Sequence, residues 1–205
     1  MTTKDAYLLE ALRLFAEKGY DATGVAEIAK AVGCTTSALY KHFPGKKALF
    51  DAIVERSQSG FRENMAFFHI CADDPQDRKR VLSMTVEDHV QLMRRIFDSI
   101  TRNEYPRLFR KLITVEQFRH PELSEIYEEH YIRNQVRSFA AMMQIRIDGG
   151  LLKPADPQIM AMQYIAPVIL MTHIFDRAPE RKAELTAALE QHVRQFNKVY
   201  GEEDV

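Results

Sequence analysis

The chain has 205 residues, of which 28 are basic and 29 acidic, for a formal net charge of −1. A hydrophobic share of 46% with eight Gly and eight Pro fits one large or two small globular domains and excludes a disordered chain. Two cysteines, Cys34 and Cys71, exclude a disulfide framework and a four-cysteine zinc site, and the balanced charge announces no nucleic acid by itself.

The opening stretch, MTTKDAYLLEAL, lacks the basic start and apolar run of a signal peptide, so a cytoplasmic protein is expected. Residues 4–18 read as a first helix. Leu8, Leu9, Leu12, Phe15 and Ala16 recur at helical spacing, and Gly19 ends it. A short helix follows over residues 24–31, with Thr23 as N-cap and Glu27 near its positive end. Val25, Ile28, Ala29 and Val32 give it one apolar face. Gly33 stands where the chain must stop the helix and take positive φ. Thr35 caps a second short helix over residues 36–42. Leu39 and Phe43 point inward, which leaves Thr36, Ser37, Tyr40 and Lys41 outward.

This is the helix-turn-helix design, in which a small polar face is held out to enter a DNA major groove. Between Ile28 and Phe50 the charged residues are Lys30, Lys41, Lys46 and Lys47, with no acid among them. A local patch of one sign suits phosphate contact. Cys34, in the turn, is expected to be a buried structural thiol.

The stretch ALRLFAEKGYDATGVAEIAKAVGCTTSALYKHFPGKKALF resembles the N-terminal DNA-binding domain of the TetR/AcrR family of bacterial transcriptional regulators. LFAEKGYDAT, IAKAVG and LYKHFPGKKALF stand at the family's spacing. Gly45 and Lys47 depart from its usual pattern, which more often has a capping Ser or Asn and an acid. The resemblance implies an all-α protein that binds DNA as a dimer at a pseudo-palindromic operator, usually as a repressor released by a small-molecule effector. The expected DNA contacts are Thr23, Thr35, Thr36, Ser37, Tyr40, Lys41, His42, Lys46 and Lys47.

A helix over residues 46–71 carries Leu49, Phe50, Ile53 and Val54 and connects to the rest of the chain. The expected division is a helix-turn-helix domain over 1–50 and a helical ligand-binding and dimerisation domain over 51–205. Pro75, Pro106, Pro121, Pro157 and Pro179 each precede a helical pattern, the N1 preference of proline, and Asp74 and Asp156 are the caps before two of them. They punctuate the chain into helices over 75–102, 106–118, 121–148, 157–175 and 179–200. No stretch alternates with period two. The expectation is about nine helices and no sheet. RLFRKLITVEQFRHPELSEIYEEHY is also similar to the family's second domain.

The segment IMAMQYIAPVILMTHIF is apolar on nearly every face, so it must be covered on both sides. Gln163, Tyr164, Pro167 and His173 interrupt it, which argues against a membrane span. Burial in the core, or core on one side and a second subunit on the other, remain. In the family the last two long helices form a four-helix dimer interface. That places Leu185, Leu189, Val193 and Phe196 in it. His89, Met93 and Phe97 share one helical face, and with Phe109, Tyr127, Tyr131 and Tyr164 they are candidates for an apolar pocket. The bland alternative is core filling.

No HExxH, His/Cys ligand spacing, GxSxG, P-loop or GxGxxG occurs, so no metal, cofactor or catalytic residue is expected. The leading reading is a DNA-binding regulator, not an enzyme. A regulator with no small ligand, controlled by a protein partner or by expression level, is the alternative. An all-α enzyme is remote.

Overall fold

The computed structural model describes the backbone of residues 3–66 and 70–202 and the side chains of residues 4–60 and 70–202. Among the described residues the α-helices are α1 (Thr3–Lys18), α2 (Val25–Val32), α3 (Thr36–Tyr40), α4 (Lys46–Ala66), α5 (Pro75–Leu82), α6 (Val86–Arg102), α7 (Glu104–Glu116), α8 (Pro121–Tyr127), α9 (Asn134–Asp148), α10 (Pro157–Arg177) and α11 (Lys182–Tyr200). A π-helical stretch, Glu128–Arg133, precedes α9, and a 3-10 turn, Pro179–Arg181, precedes α11. The sequence pattern is all-α, and so is the protein.

Side-chain caps mark several starts. Asp74 accepts from the Gln76 N–H at 2.8 Å, and Asp156 does the same for Gln158 at 2.8 Å, each with proline at the first helical position. Two expected helices divide. The pattern over 75–102 breaks at Ser83–Thr85, where a capping box starts α6. Asp88 accepts from the Thr85 N–H at 2.8 Å, and the Thr85 hydroxyl accepts from the Asp88 N–H at 3.2 Å. The pattern over 121–148 becomes α8, the π stretch and α9. Pro106 is third in α7 rather than first, because Asn103 begins that helix. The tail of the expected helix over 46–71 includes residues 67–69, outside the described residues.

The chain folds as two compact units that do not follow a boundary at residue 50. The first comprises Met1–Met65 and Asn103–Tyr127, the second Ala66–Arg102 and Glu128–Val205. In the first, α1 packs against α2 and α7, and α2 against α3. Leu12, Phe15, Ile28, Leu39, Leu49 and Ile53 are buried there, with Leu112 and Ile113 of α7. Arg13 of α1 grips Glu104 of α7 through two parallel bonds of 2.8 and 2.7 Å. The Arg56 guanidinium lies 4.7 Å from the ring centre of Tyr105, whose hydroxyl burial pushes up to about 12.

In the second unit α10 lies along α9, and α11 along α6 and α10. Among the described residues α10 alone is long and apolar enough to cross a membrane, yet eight of its side chains are buried in this core. The helix runs on through Pro167. Leu185, Leu189, Val193 and Phe196 do not form an exposed seam. They are 3%, 0%, 0% and 5% exposed, because the apolar stripe of α11 is used by the protomer's own core. Several apolar side chains are left outside, and on α10 Ile159, Met162 and Leu170 are at least half exposed and fall on one helical face.

The end of α11 is tied back. The Lys153 N–H donates to the Tyr200 carbonyl at 2.8 Å, its ammonium to the Val199 carbonyl at 3.4 Å, and the Gly201 N–H to the Asn197 carbonyl at 2.7 Å.

Candidate nucleic-acid interface

Five residues cannot hold a helix alone, so α3 depends on what surrounds it. Gly33 takes φ 78°, the left-handed turn that ends α2, and its N–H bonds back to the α2 carbonyls. Thr35 is extended at φ −81°, ψ 153°, and its hydroxyl oxygen accepts from the Ala38 N–H at 3.2 Å. Leu39 is fully buried and Phe43 nearly so. The other face of α3 is left outward. Ser37, Tyr40, Lys41 and His42 are exposed, Thr36 is half-buried, and the Tyr40 ring is 50% exposed. His42 lies against Tyr7 with ring centres 5.3 Å apart, which holds its ring at the edge of this face. The thiol of Cys34 is half-buried rather than enclosed, and its contact with the Tyr7 hydroxyl pushes the phenol up.

Thr23 leaves the contact set. Gly24, not Thr23, occupies the N-cap of α2. Thr23 is 1% exposed, and its hydroxyl donates to the Gly19 carbonyl at 2.8 Å and approaches that of Leu14 at 3.3 Å. It closes the turn between α1 and α2 from inside. Lys46 is also engaged. Its ammonium donates to the carbonyls of Tyr20 and Asp21 at 2.9 and 3.2 Å and sits 4.5 Å from the Tyr20 ring centre. Two of its three donors tie α4 to that same turn. Lys47 remains outward, bonded to Asp51 at 2.9 Å on an exposed surface, which holds its charge firmly on.

Behind this face stands a group that the sequence reading missed. Glu116 of α7 is fully buried, and its carboxylate accepts from the Tyr20 N–H at 3.0 Å. His120 approaches its other oxygen at 3.5 Å and stacks edge-on against Tyr20 at 5.7 Å. The turn that carries Tyr20 is therefore held from one side by Lys46 and from the other by Glu116.

The residues offered as a pocket divide between the units. Phe109 and Tyr127 belong to the first; His89, Met93, Phe97, Tyr131 and Tyr164 belong to the second. His89, Met93, Phe97 and Tyr164 are buried in one core, and Tyr131 is half-buried on the π stretch. Burial, with the Arg146 charge nearby, lowers His89 to about 3, so its ring is neutral. Arg146 was also missed. Both missed charges stand on apolar stripes, Glu116 seven residues after Phe109 and Arg146 seven after Phe139. That position on a helix was the available signal.

Residues 8–53 match the family model for bacterial regulatory proteins of the tetR family. Residues 90–202, more than half of the chain, match that for the C-terminal domain of AefR-like transcriptional repressors. The chain belongs to the TetR family. Among curated relatives it is 46% identical over 61 residues to the HTH-type regulator AcrR of Shigella flexneri, covering 30% of this chain and 28% of AcrR. It is 42% identical over 52 residues to IcaR of Staphylococcus aureus, the negative regulator of a biofilm operon, covering 25% and 28%. The chain thus spans little more than a quarter of the length of either relative. Among solved structures it is similar in fold to SmeT, the repressor of a Stenotrophomonas maltophilia multidrug efflux pump. Against SmeT bound to triclosan the TM-score is 0.66 at 22% identity, over 100% of this chain and 94% of that one.

Proposed function

We propose that this TetR-family protein is a cytoplasmic, dimeric transcriptional repressor that leaves its operator when a small, mostly apolar molecule binds its second unit. The carrying observation is the outward face of α3, which offers hydroxyls, a phenol and cations on a helix clamped from behind. In a major groove, Thr36, Ser37 and Tyr40 are placed for base edges, and Lys41, His42, Lys47 and the free hydroxyl hydrogen of Thr35 for phosphate. The remaining N–H of Lys46 adds a backbone contact at the start of α4.

Two copies joined through the exposed face of α10 present two such helices to a pseudo-palindromic site. IcaR and SmeT, both described as negative regulators, support repression, and the SmeT–triclosan complex supports an effector. A ligand acts only through its different affinity for the bound and released states, so operator DNA must weaken ligand binding by the same factor. The covalent route is short, since one residue, Asn103, separates α6 from α7.

A gel shift on the DNA flanking its own gene tests this reading. Tyr40→Ala is expected to cost about 1–3 kcal/mol of specific binding, and Lys47→Ala to weaken all sequences alike and lower the salt slope by about one unit. Unchanged binding by both variants would reject this face as the interface.

A further inference from the structure

Four helices of the second unit bring polar side chains to one place in its apolar core. They are His89 of α6, Arg146 of α9, Tyr164 of α10 and Asn197 of α11. Their exposures are 0%, 6%, 1% and 8%. Arg146 donates through Nη1 to the Asn197 side-chain oxygen at 3.0 Å, and the Asn197 amide nitrogen donates to the Val193 carbonyl at 2.9 Å. Asn197 is thus fixed from behind and orients the guanidinium. The His89 and Tyr164 rings stand edge to face at 6.5 Å.

The partners do not balance. Among the described residues Arg146 pairs with no carboxylate, and its Nε has no acceptor. The Tyr164 hydroxyl and both ring nitrogens of His89 also lack partners among the described residues. The nearby acid, Asp88, is exposed and already accepts from the Thr85 N–H and hydroxyl at 2.8 and 2.7 Å. A guanidinium keeps its charge, and a buried charge with no counter-ion is strongly disfavoured. Guanidinium, phenol and neutral imidazole together hold more unused donors than acceptors.

We propose that this cluster is an anion site, in which Arg146 and Tyr164, with the N–H of His89, bind the carboxylate of an apolar monocarboxylic acid. One uncompensated cation matches one negative charge, which favours a carboxylate over a phosphate dianion, and the guanidinium fork fits two carboxylate oxygens. The surroundings supply the apolar body's environment. Phe139 and Phe196 lie 5.4 and 4.8 Å from the Tyr164 ring centre. Asn197 is a positioning residue. This inference rests on the effector reading above and names the chemistry of that effector.

Calorimetry on the full chain tests it with octanoate, 3-phenylpropanoate and uncharged 1-octanol. At least one acid is expected to bind about tenfold or more tightly than 1-octanol, reflecting a charge-assisted contact. Arg146→Met should bring that acid down to the level of 1-octanol and leave 1-octanol unchanged. Without ligand, Arg146→Met should unfold at the same temperature as wild type or higher, because it removes an unpaired buried charge. Tyr164→Phe, which deletes one oxygen, should weaken the acid about three- to tenfold without affecting 1-octanol, and it carries the test if Arg146→Met does not fold. Equal binding of acid and alcohol, or wild-type acid binding by the variant that folds, overturns the carboxylate site and leaves the effector reading standing. The same holds if neither acid binds while another apolar compound releases operator DNA. If no apolar compound releases it, both readings fall.

Discussion

The two units handle buried charge differently. In the first, Glu116 is fully enclosed: one carboxylate oxygen accepts from the Tyr20 N–H at 3.0 Å, and the other makes no hydrogen bond among the described residues and faces His120 at 3.5 Å. Its Lys41 and Lys47 stand outside, while its Arg110 is buried. In the second, Arg146 is enclosed with a neutral amide, and the His89 ring nitrogens and the Tyr164 hydroxyl beside it have no hydrogen-bond partner among the described residues. The difference separates two uses of one expensive arrangement. A buried charge that grips the backbone of a turn builds shape, whereas one left with several unused donors around it is retained where something else can satisfy them.

The comparison breaks first at the cores. Leu39→Ala and Leu189→Ala are each expected to cost about 2–5 kcal/mol in urea unfolding, since both side chains are fully buried. Leu39→Ala should also abolish operator binding. Leu189→Ala should lower stability without dissociating dimers, and monomers of undiminished stability would return Leu189 to the interface. Glu116→Ala comes next, at about 1–3 kcal/mol, because it leaves the Tyr20 N–H buried without an acceptor. Glu116→Gln, which keeps an acceptor, should recover most of that in thermal melts. On the outside of α10, Met162→Glu is expected to weaken self-association at least about tenfold, or about 1.4 kcal/mol, by sedimentation, with the fold unchanged.

A titration sharpens the contrast by pH. His89 takes up a proton near 6.5 in the unfolded chain but only near 3 in the folded one. Its contribution to stability is therefore complete above that upper value and is lost as pH falls towards the lower one. The slope is about 1.4 kcal/mol per pH unit for one proton. His89→Gln should be less pH-dependent by that amount between about pH 6 and pH 4. Parallel profiles for the two proteins would mean that His89 protonates freely in the folded state.

Much of the first unit was legible because short-range chemistry sets it. Thr35, Gly33 and the spacing of Leu39 and Phe43 fix α3 within a few residues. Thr23 misled, because a Thr beside a helix start reads as a cap whether its hydroxyl meets α2 or, as here, the Gly19 carbonyl behind it. The break between α5 and α6 was written in Thr85 and Asp88 but hidden by the continuing stripe of Leu82, Val86 and His89. Leu82 and Val86 are in fact 38% and 39% exposed. The stripe of α11 was read correctly as apolar, yet a stripe does not say whether it faces the same chain or another. Arg146 was out of reach for a different reason. Its meaning depends on Asn197, Tyr164 and His89, which lie on three other helices and share no local pattern with it.

The tie at the end of α11 bears on motion. Helix ends ordinarily fray, because their last carbonyls have no partner. Here the carbonyls of Val199 and Tyr200 are taken by Lys153, and that of Asn197 by Gly201. Local opening of the last turn must break these bonds together, so its backbone amides belong with the slow-exchanging interior rather than with a loose terminus. Asn197 lies inside that protected turn. The carboxamide that aims Arg146 is thereby kept still by a loop 44 residues earlier in the chain, from Lys153 to Asn197.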